Sequence, residues 1–169
     1  SMPLLRSALV LYDTTQEQAY IEKAEKISYY LSTWLWHYKA GYDADEDATR
    51  YGYNTFGATS VSTQHHHLDV YALMWVSEWL RLAELSGNDT WREKALAIWT
   101  NGCQILSDGT LEINGLIRPV GSQNEAFFEC TWGGYPERKR INDWLVAWPG
   151  AFRLETMRNI SDWGALDNE

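Results

Sequence analysis

The stretch that decides the fold is WLRLAELSGNDTWREKALAIW, residues 79–99. Its two halves carry apolar residues at spacings of three and four, which is typical of amphipathic helices. Between them, residues 86–89 combine a glycine that can end one helix with polar side chains that can cap the next. Because this linker is short, we expect the two helices to form an antiparallel hairpin.

The first helix of this hairpin extends back along the chain, and one further helix is predicted before it. Residues 68–85 are apolar on nearly every side, which indicates a central, buried helix that begins near residue 62. Residues 15–40 carry apolar side chains at helical spacing with charged residues opposite, and a capping box at Thr14 or Thr15 would begin this helix. The segment 41–62 between them is first acidic and then rich in Gly, Asn, Thr and Tyr, which predicts a functional loop.

Short elements are predicted after the hairpin. Residues 111–118 have an Asn-Gly pair at their centre, which favours a small β-hairpin with a two-residue turn. Ser122 and Glu125 fit a second capping box, and a short helix is therefore expected over residues 121–130.

A last helix is expected to begin near Asp143 or Pro149 and to run through Met157, since proline is well tolerated in a first helical turn. The predicted fold class is therefore all-α, with antiparallel helical hairpins and a minor β-hairpin. Residues 1–169 suit one domain, because a chain of this length can bury most of its apolar surface.

The composition excludes several classes of function. The net charge of −9 argues against nucleic acid or an anionic membrane as partners, because both require a basic face. No apolar run approaches the roughly 20 residues that a membrane span needs, and no signal peptide is visible, which predicts a cytoplasmic chain. The two cysteines, Cys103 and Cys130, lack a metal-type spacing, and no cofactor is expected.

The first candidate site is the polar run 64–69, which contains Gln64, His65, His66, His67 and Asp69. On a helix, residues four apart share a face, so His65 would lie beside Asp69. A helix N-terminus favours neutral imidazoles, which suit proton transfer or hydrogen bonding. A metal is not favoured, because the companion ligands are not evident. A structural role for the histidines is an equal alternative.

The second candidate site lies within residues 121–129. Glu125 and Glu129 are four apart, and paired carboxylates can divide acid and base roles when their surroundings separate their pKa values. The alternative, in which Glu125 caps a helix and Glu129 is solvated, is slightly favoured. Gln123 and Asn124 carry amides of the kind that bind sugar hydroxyls.

Aromatic residues form a third set. Ten tryptophans exceed what core packing usually demands, and flat rings stack on the C–H faces of pyranose sugars. The tryptophans at helical core positions are expected inside: Trp34, Trp75, Trp79 and Trp99. Three other tryptophans and three aromatic residues of the 41–62 loop indicate a carbohydrate cleft: Trp132, Trp144, Trp148, Tyr51, Tyr53 and Phe56.

The hairpin over residues 79–99 resembles those of the (α/α)-toroid, six-hairpin glycosidases, in which a Ser/Thr-Gly-Asn/Asp turn joins an inner helix to an outer one. The resemblance covers roughly residues 60–107. It implies a toroid-type fold and an oligosaccharide substrate, processed by hydrolysis, elimination or epimerisation. Since a complete toroid needs about twice this length, it also implies a half-toroid from the C-terminal part of a longer chain. No catalytic motif of the family is matched residue by residue.

The sequence thus predicts a carbohydrate-active domain with acid–base chemistry at a glycosidic bond. The alternatives are a noncatalytic carbohydrate-binding module and a structural C-terminal domain, which would expose an apolar face and form a homo-oligomer or complete a larger enzyme. The predicted catalytic residues are Glu125, Glu129, Asp69, His65 and His67. The predicted substrate-binding residues are Gln64, His66, Gln123, Asn124, Trp132, Trp148 and Tyr53.

Overall fold

Helices dominate the architecture, which confirms the mostly α-helical class. A computed structural model describes residues 2–60, 67–125, 127–128, 140–142 and 144–160, with the backbone alone at 67 and 127–128. The helices are α1 Met2–Thr15, α2 Gln18–Ser32, α3 Asp47–Arg50, α4 Val76–Ser86, α5 Thr90–Gly102 and α6 Trp148–Asn159, with a 3₁₀ turn at Tyr71–Trp75. The strands are β1 Thr59–Ser60, β2 His67–Asp69, β3 Glu112–Ile113, β4 Leu116–Ile117 and β5 Phe127–Phe128.

The α4–α5 hairpin confirms the prediction made from residues 79–99. Gly87 ends α4 in the left-handed conformation, with φ of 67°, and its N–H donates to the carbonyl oxygen of Ala83 at 2.9 Å. The side-chain oxygen of Asn88 accepts from the N–H of Thr90 at 3.2 Å, where α5 begins. The linker therefore satisfies groups at both helix ends.

The helix predicted over residues 15–40 is wrong at both ends. Gln16 has a positive φ of 59° and separates two helices, α1 and α2. The hydroxyl of Thr15 donates back to the carbonyl oxygen of Leu11, so it closes α1 instead of capping α2. Helix α2 ends at Ser32, because the following backbone pairs with the loop instead: the N–H of Trp36 donates to the carbonyl oxygen of Ala58.

The helix predicted from residue 62 to 85 is also wrong in its first half. Residues 67–69 form strand β2, which pairs antiparallel with β1 on one side and with β5 on the other. The 3₁₀ turn follows, and α4 begins only at Val76. A continuous apolar run fits a buried strand as well as a buried helix, so periodicity alone could not separate them.

Of the three elements predicted after α5, two are confirmed and one is wrong. The β3–β4 hairpin is confirmed, with positive φ at both Asn114 and Gly115, and α6 begins with a proline in its first turn as expected. The short helix over 121–130 is wrong. The hydroxyl of Ser122 donates to the carbonyl oxygen of Pro119 and caps nothing, while residues 123 and 124 form isolated bridges to other segments.

Within the described part of the chain, two apolar clusters form the core. The larger contains the buried faces of α1, α2, α4 and α5, and Trp79 lies within it as expected. The smaller surrounds Tyr53 and Leu68. The expectation that Tyr53 is exposed for ligand contact is wrong, because it is 4% exposed and its hydroxyl donates to the side-chain oxygen of Asn101 at 3.2 Å. No helix in the described ranges is both long and apolar enough to cross a bilayer.

Candidate functional site

Asp69 is the buried carboxyl group at the end of β2. It is only 1% exposed, and its partner across the sheet is Thr59 of β1. One oxygen, Oδ1, accepts from the Thr59 hydroxyl at 2.5 Å and from the N–H of Tyr71 at 2.7 Å. The other oxygen, Oδ2, is buried and has no hydrogen-bond partner among the described residues. The side chain is therefore anchored through one oxygen and unsatisfied at the other.

Burial raises the pKa of Asp69 to about 7. The hydrogen bonds from Thr59 and Tyr71 lower the pKa, while the negative charge of Glu125 raises it further. Desolvation dominates because the charged form loses its hydration in the protein interior. Near neutral pH this carboxyl group can consequently either donate or accept a proton.

Three more side chains join Asp69 in one cluster. The ring of Tyr71 stacks on that of Trp148, with centroids 4.3 Å apart and planes 3° from parallel. The indole N–H of Trp148 points to Oε1 of Glu125 at 3.4 Å, a long hydrogen bond. The pKa of Tyr71 is raised by burial and then by the charges of Glu125 and Asp69. We call these four residues the carboxylate–aromatic cluster.

A cavity of about 410 Å³ lies beside this cluster. It falls within the usual range for small-ligand pockets. We call it the aromatic cavity, since its lining includes Tyr30, Trp34, Tyr71 and Trp75. Asp69 contributes the carboxyl group, and Thr59 and Ser60 contribute hydroxyls. Its lining is thus largely flat and apolar, with a few polar groups at one side.

The structure brings three of the predicted site residues together, Asp69, Glu125 and Trp148, and of these Asp69 alone lines the aromatic cavity. Their elements differ from the predicted ones, because Asp69 ends a strand and Glu125 follows a bridge. His67 lies in β2 opposite residue 128, and only its backbone is described. The other predicted site residues lie outside the described part of the chain: Gln64, His65, His66, Glu129 and Trp132.

Gln123 and Asn124 have structural contacts. The amide nitrogen of Gln123 donates to the carbonyl oxygens of residues 102 and 104, while its oxygen accepts from Arg153 at 2.6 Å. The amide nitrogen of Asn124 donates to the carbonyl oxygen of Asn142. Both side chains are buried, and neither lines the aromatic cavity. Tyr53 does not line it either.

Most of the residues that line the aromatic cavity were not predicted from the sequence. Trp34 and Trp75 are predicted in the core; Trp75 belongs to it and Trp34 packs against it, yet both also line the cavity. Tyr30 and Tyr71 gave no signal of their own, because a single tyrosine beside an apolar run is common on any helix. The one available signal was Asp69, a lone carboxylate within a long uncharged stretch.

Comparisons with protein-family models, with curated proteins and with solved structures find no match for this chain. The resemblance of the 79–99 hairpin to six-hairpin glycosidases therefore stays a prediction. Within the described ranges, no three His, Cys, Asp or Glu side chains lie close enough together to hold a metal ion.

The buried carboxyl group predicts an unusual pH dependence of stability. The folded state raises the pKa of Asp69 from 3.8 to about 7, so folding favours its protonated form and ionisation destabilises the fold. From about pH 5 to pH 8, the wild type should lose about 2–3 kcal/mol of unfolding free energy relative to Asp69→Asn. Urea unfolding at both pH values measures the difference.

The exposed Asp13 provides the control, because Asp13→Asn removes one carboxylate at a surface position, where it pairs with the half-exposed Arg81. The control should follow the wild type across the pH range. A constant difference between the wild type and Asp69→Asn over that range would show that the Asp69 carboxyl group titrates as an ordinary aspartate.

Proposed function

We propose that this chain is a carbohydrate-active domain whose aromatic cavity binds one sugar unit of an oligosaccharide. The observation that carries the proposal is the unsatisfied Oδ2 of Asp69 beside a cavity lined by four aromatic side chains. A ligand that fits must offer an apolar face to the rings and a polar group to the carboxyl.

A pyranose ring has both features. Its C–H faces pack on flat aromatic surfaces, and its hydroxyls can donate to or accept from a carboxyl group. The hydroxyl of Ser60 lies in the same lining and offers a further polar contact, whereas the hydroxyl of Thr59 is already bonded to Asp69 and to the N–H of Ala72. A wholly apolar ligand would leave Oδ2 unsatisfied, at a cost on the order of 1–3 kcal/mol.

Acid–base chemistry at a glycosidic bond is the reaction that the cluster supports. Glycoside hydrolysis uses two carboxyl groups, one of them held protonated near neutral pH by its surroundings. Asp69 has the raised pKa that a general acid needs, and Glu125 is the second carboxyl group within its electrostatic reach. We therefore propose Asp69 as the acid and Glu125 as its partner, within a half-toroid of the six-hairpin type.

A binding titration with a matched pair of variants tests the proposal. Tyr30 lines the cavity and is 57% exposed, whereas its neighbour Tyr29 on α2 is 56% exposed and contacts Trp91 instead. Calorimetry with a panel of neutral, amino and uronic-acid oligosaccharides should find binding. Tyr30→Ala should weaken it about fivefold, since one aromatic face is worth about 1 kcal/mol.

Tyr29→Ala should leave the affinity within twofold of the wild type (about 0.4 kcal/mol). Equal losses in both variants would place the sugar outside the aromatic cavity. Absence of binding across the whole panel would remove the proposed function.

A structural role in a larger assembly is the second candidate, and α1 favours it. Leu4, Val10 and Leu11 are apolar residues of this helix that remain exposed. Exposed apolar faces of this kind are typical of surfaces that another chain or domain covers. The same titration separates the candidates, because a purely structural domain would bind no member of the sugar panel.

A further inference from the structure

We propose that the aromatic cavity selects a sugar that carries a positively charged amino group. The proposal rests on the binding part of the proposed function, since it names the class of sugar that the same cavity binds, and it uses the ionised form of Asp69, which pairs with a cation but cannot act as the acid. A glucosamine unit with a free amine has this chemistry: a pyranose ring for the aromatic lining and an ammonium group for the carboxylate.

The aromatic lining favours a cation. The faces of Trp and Tyr rings carry partial negative charge and attract an ammonium group placed within about 6 Å. Four such rings line the cavity, contributed by Tyr30, Trp34, Tyr71 and Trp75. Several aromatic side chains around one pocket form the type of site that recognises organic ammonium ions.

Among the described residues, the charged groups that act on this cluster are negative. Oδ2 of Asp69 has no partner, and the charge of Glu125 acts on both Asp69 and Tyr71. A neutral hydroxyl could bond to Oδ2 but would leave the buried charge without a counter-ion. An ammonium group supplies both the hydrogen bond and the opposite charge, which a buried carboxylate requires.

No basic side chain of the described residues lines the cavity. The nearest candidate on the adjoining helix α1 is Arg6, and its guanidinium is already engaged. It donates to Glu78 at 2.6 Å and to Glu155 at 3.0 Å. Arg6 is therefore committed to two other carboxylates, and a uronic acid in the cavity would face Asp69 with no compensating basic side chain among the described lining residues.

Ionisation of Asp69 links this selectivity to pH. Burial raises the pKa of Asp69 to about 7, so the carboxylate that a cation needs is only partly formed at neutral pH. Among the described residues, Glu125 is the titratable group whose charge raises the pKa of Asp69, while Tyr71 donates its backbone N–H to Asp69 and lines the cavity together with Tyr30. A bound cation stabilises the carboxylate and lowers its pKa.

The experiment compares four trisaccharides at about pH 6.5 by calorimetry: glucosamine, N-acetylglucosamine, glucose and glucuronic acid. The free amine should bind about tenfold or more tightly than the glucose and N-acetylated forms, which corresponds to about 1.4 kcal/mol. The glucuronic acid form should bind weakest. Asp69→Asn should abolish the advantage of the amine.

The matched control for that variant is Glu84→Gln, which removes one negative charge at an exposed position of α4. It should keep the advantage of the amine. Glu125→Gln provides a second variant of the site that leaves Asp69 in place, and it should reduce the advantage by about twofold or more. Circular dichroism verifies that each variant is folded.

A permanently charged ligand isolates the titration of the protein. The affinity for an N-trimethylated glucosamine trisaccharide should rise about tenfold between about pH 6 and pH 8, as Asp69 ionises. Histidines titrate in the same range, and the chain has three at residues 65–67. The profile of Asp69→Asn should therefore be flat if Asp69 is the group responsible.

Three outcomes would overturn the inference or a part of it, and they differ in their consequence for the proposed function. Equal binding of the amine and glucose forms, sensitive to Tyr30→Ala, would overturn the charge selectivity and leave the proposed function intact. Absence of binding by every trisaccharide would remove both. A steep pH profile that persists in Asp69→Asn would likewise overturn the role given to Asp69.

Discussion

Trp79→Ala is expected to destabilise the fold by about 3–5 kcal/mol, the cost of removing a large aromatic side chain from a packed core. Trp79 is fully buried, and its ring lies 5.5 Å from that of Trp75 and 5.6 Å from that of Trp91. Its indole N–H also donates to the hydroxyl of Ser28 at 2.9 Å. The substitution therefore leaves both a cavity and an unsatisfied buried hydroxyl. Urea unfolding measures the loss.

The control for this substitution is Trp144→Ala. Trp144 is 49% exposed, so losing its ring should cost less than about 1 kcal/mol. Similar losses for the two variants would mean that the α1–α2 and α4–α5 hairpins do not share the packed core that Trp79 occupies. Because Trp75 belongs to this core and also lines the aromatic cavity, the core and the cavity depend on the same packing.

Gly57→Ala is expected to destabilise the fold by more than about 2 kcal/mol. Gly57 has a positive φ of 87°, and a Cβ atom there would lie 2.3 Å from the carbonyl oxygen of Ala97 on α5. The positive φ and the close carbonyl oxygen both belong to the backbone, so a side-chain rotation cannot relieve them. The affected loop leads directly to Thr59, which anchors Asp69, and the sugar binding that we propose should weaken as well.

Gly52→Ala separates the cost of the positive φ from the cost of the close contact with α5. Gly52 also has a positive φ, of 65°, but nothing lies within 4 Å of its Cβ position. This variant should show only the conformational cost, about 1–2 kcal/mol. If Gly57→Ala cost no more than Gly52→Ala in thermal or urea unfolding, the close approach of the loop to α5 would be disproved.

The elements that were predicted correctly from the sequence are those specified by residues close together in the chain. Gly87 ends α4 and the Asn-Gly turn joins β3 to β4 because each requirement is met by residues within a few positions. Where pairing partners are distant in sequence, prediction was wrong. Strand β2 depends on β1 and on β5, and no local pattern shows that Leu68 pairs with residues 60 and 127.

The site was likewise predicted only in part from the sequence. Asp69, Glu125 and Trp148 were predicted from residue type, and the structure brings them together. Their chemistry was not predictable, because the raised pKa of Asp69 follows from burial at the end of a strand. Tyr71 was missed, since its role depends on stacking with Trp148 from a helix 77 residues further along the chain.

The aromatic cavity as a sugar site is tested most directly by a crystal structure of the protein soaked with the glucosamine and glucose trisaccharides. Ordered density for a pyranose ring is expected between Tyr30 and Tyr71, with an amino or hydroxyl group within about 3 Å of Oδ2 of Asp69. A sugar bound on another face, or an empty cavity at saturating ligand, would contradict the assignment.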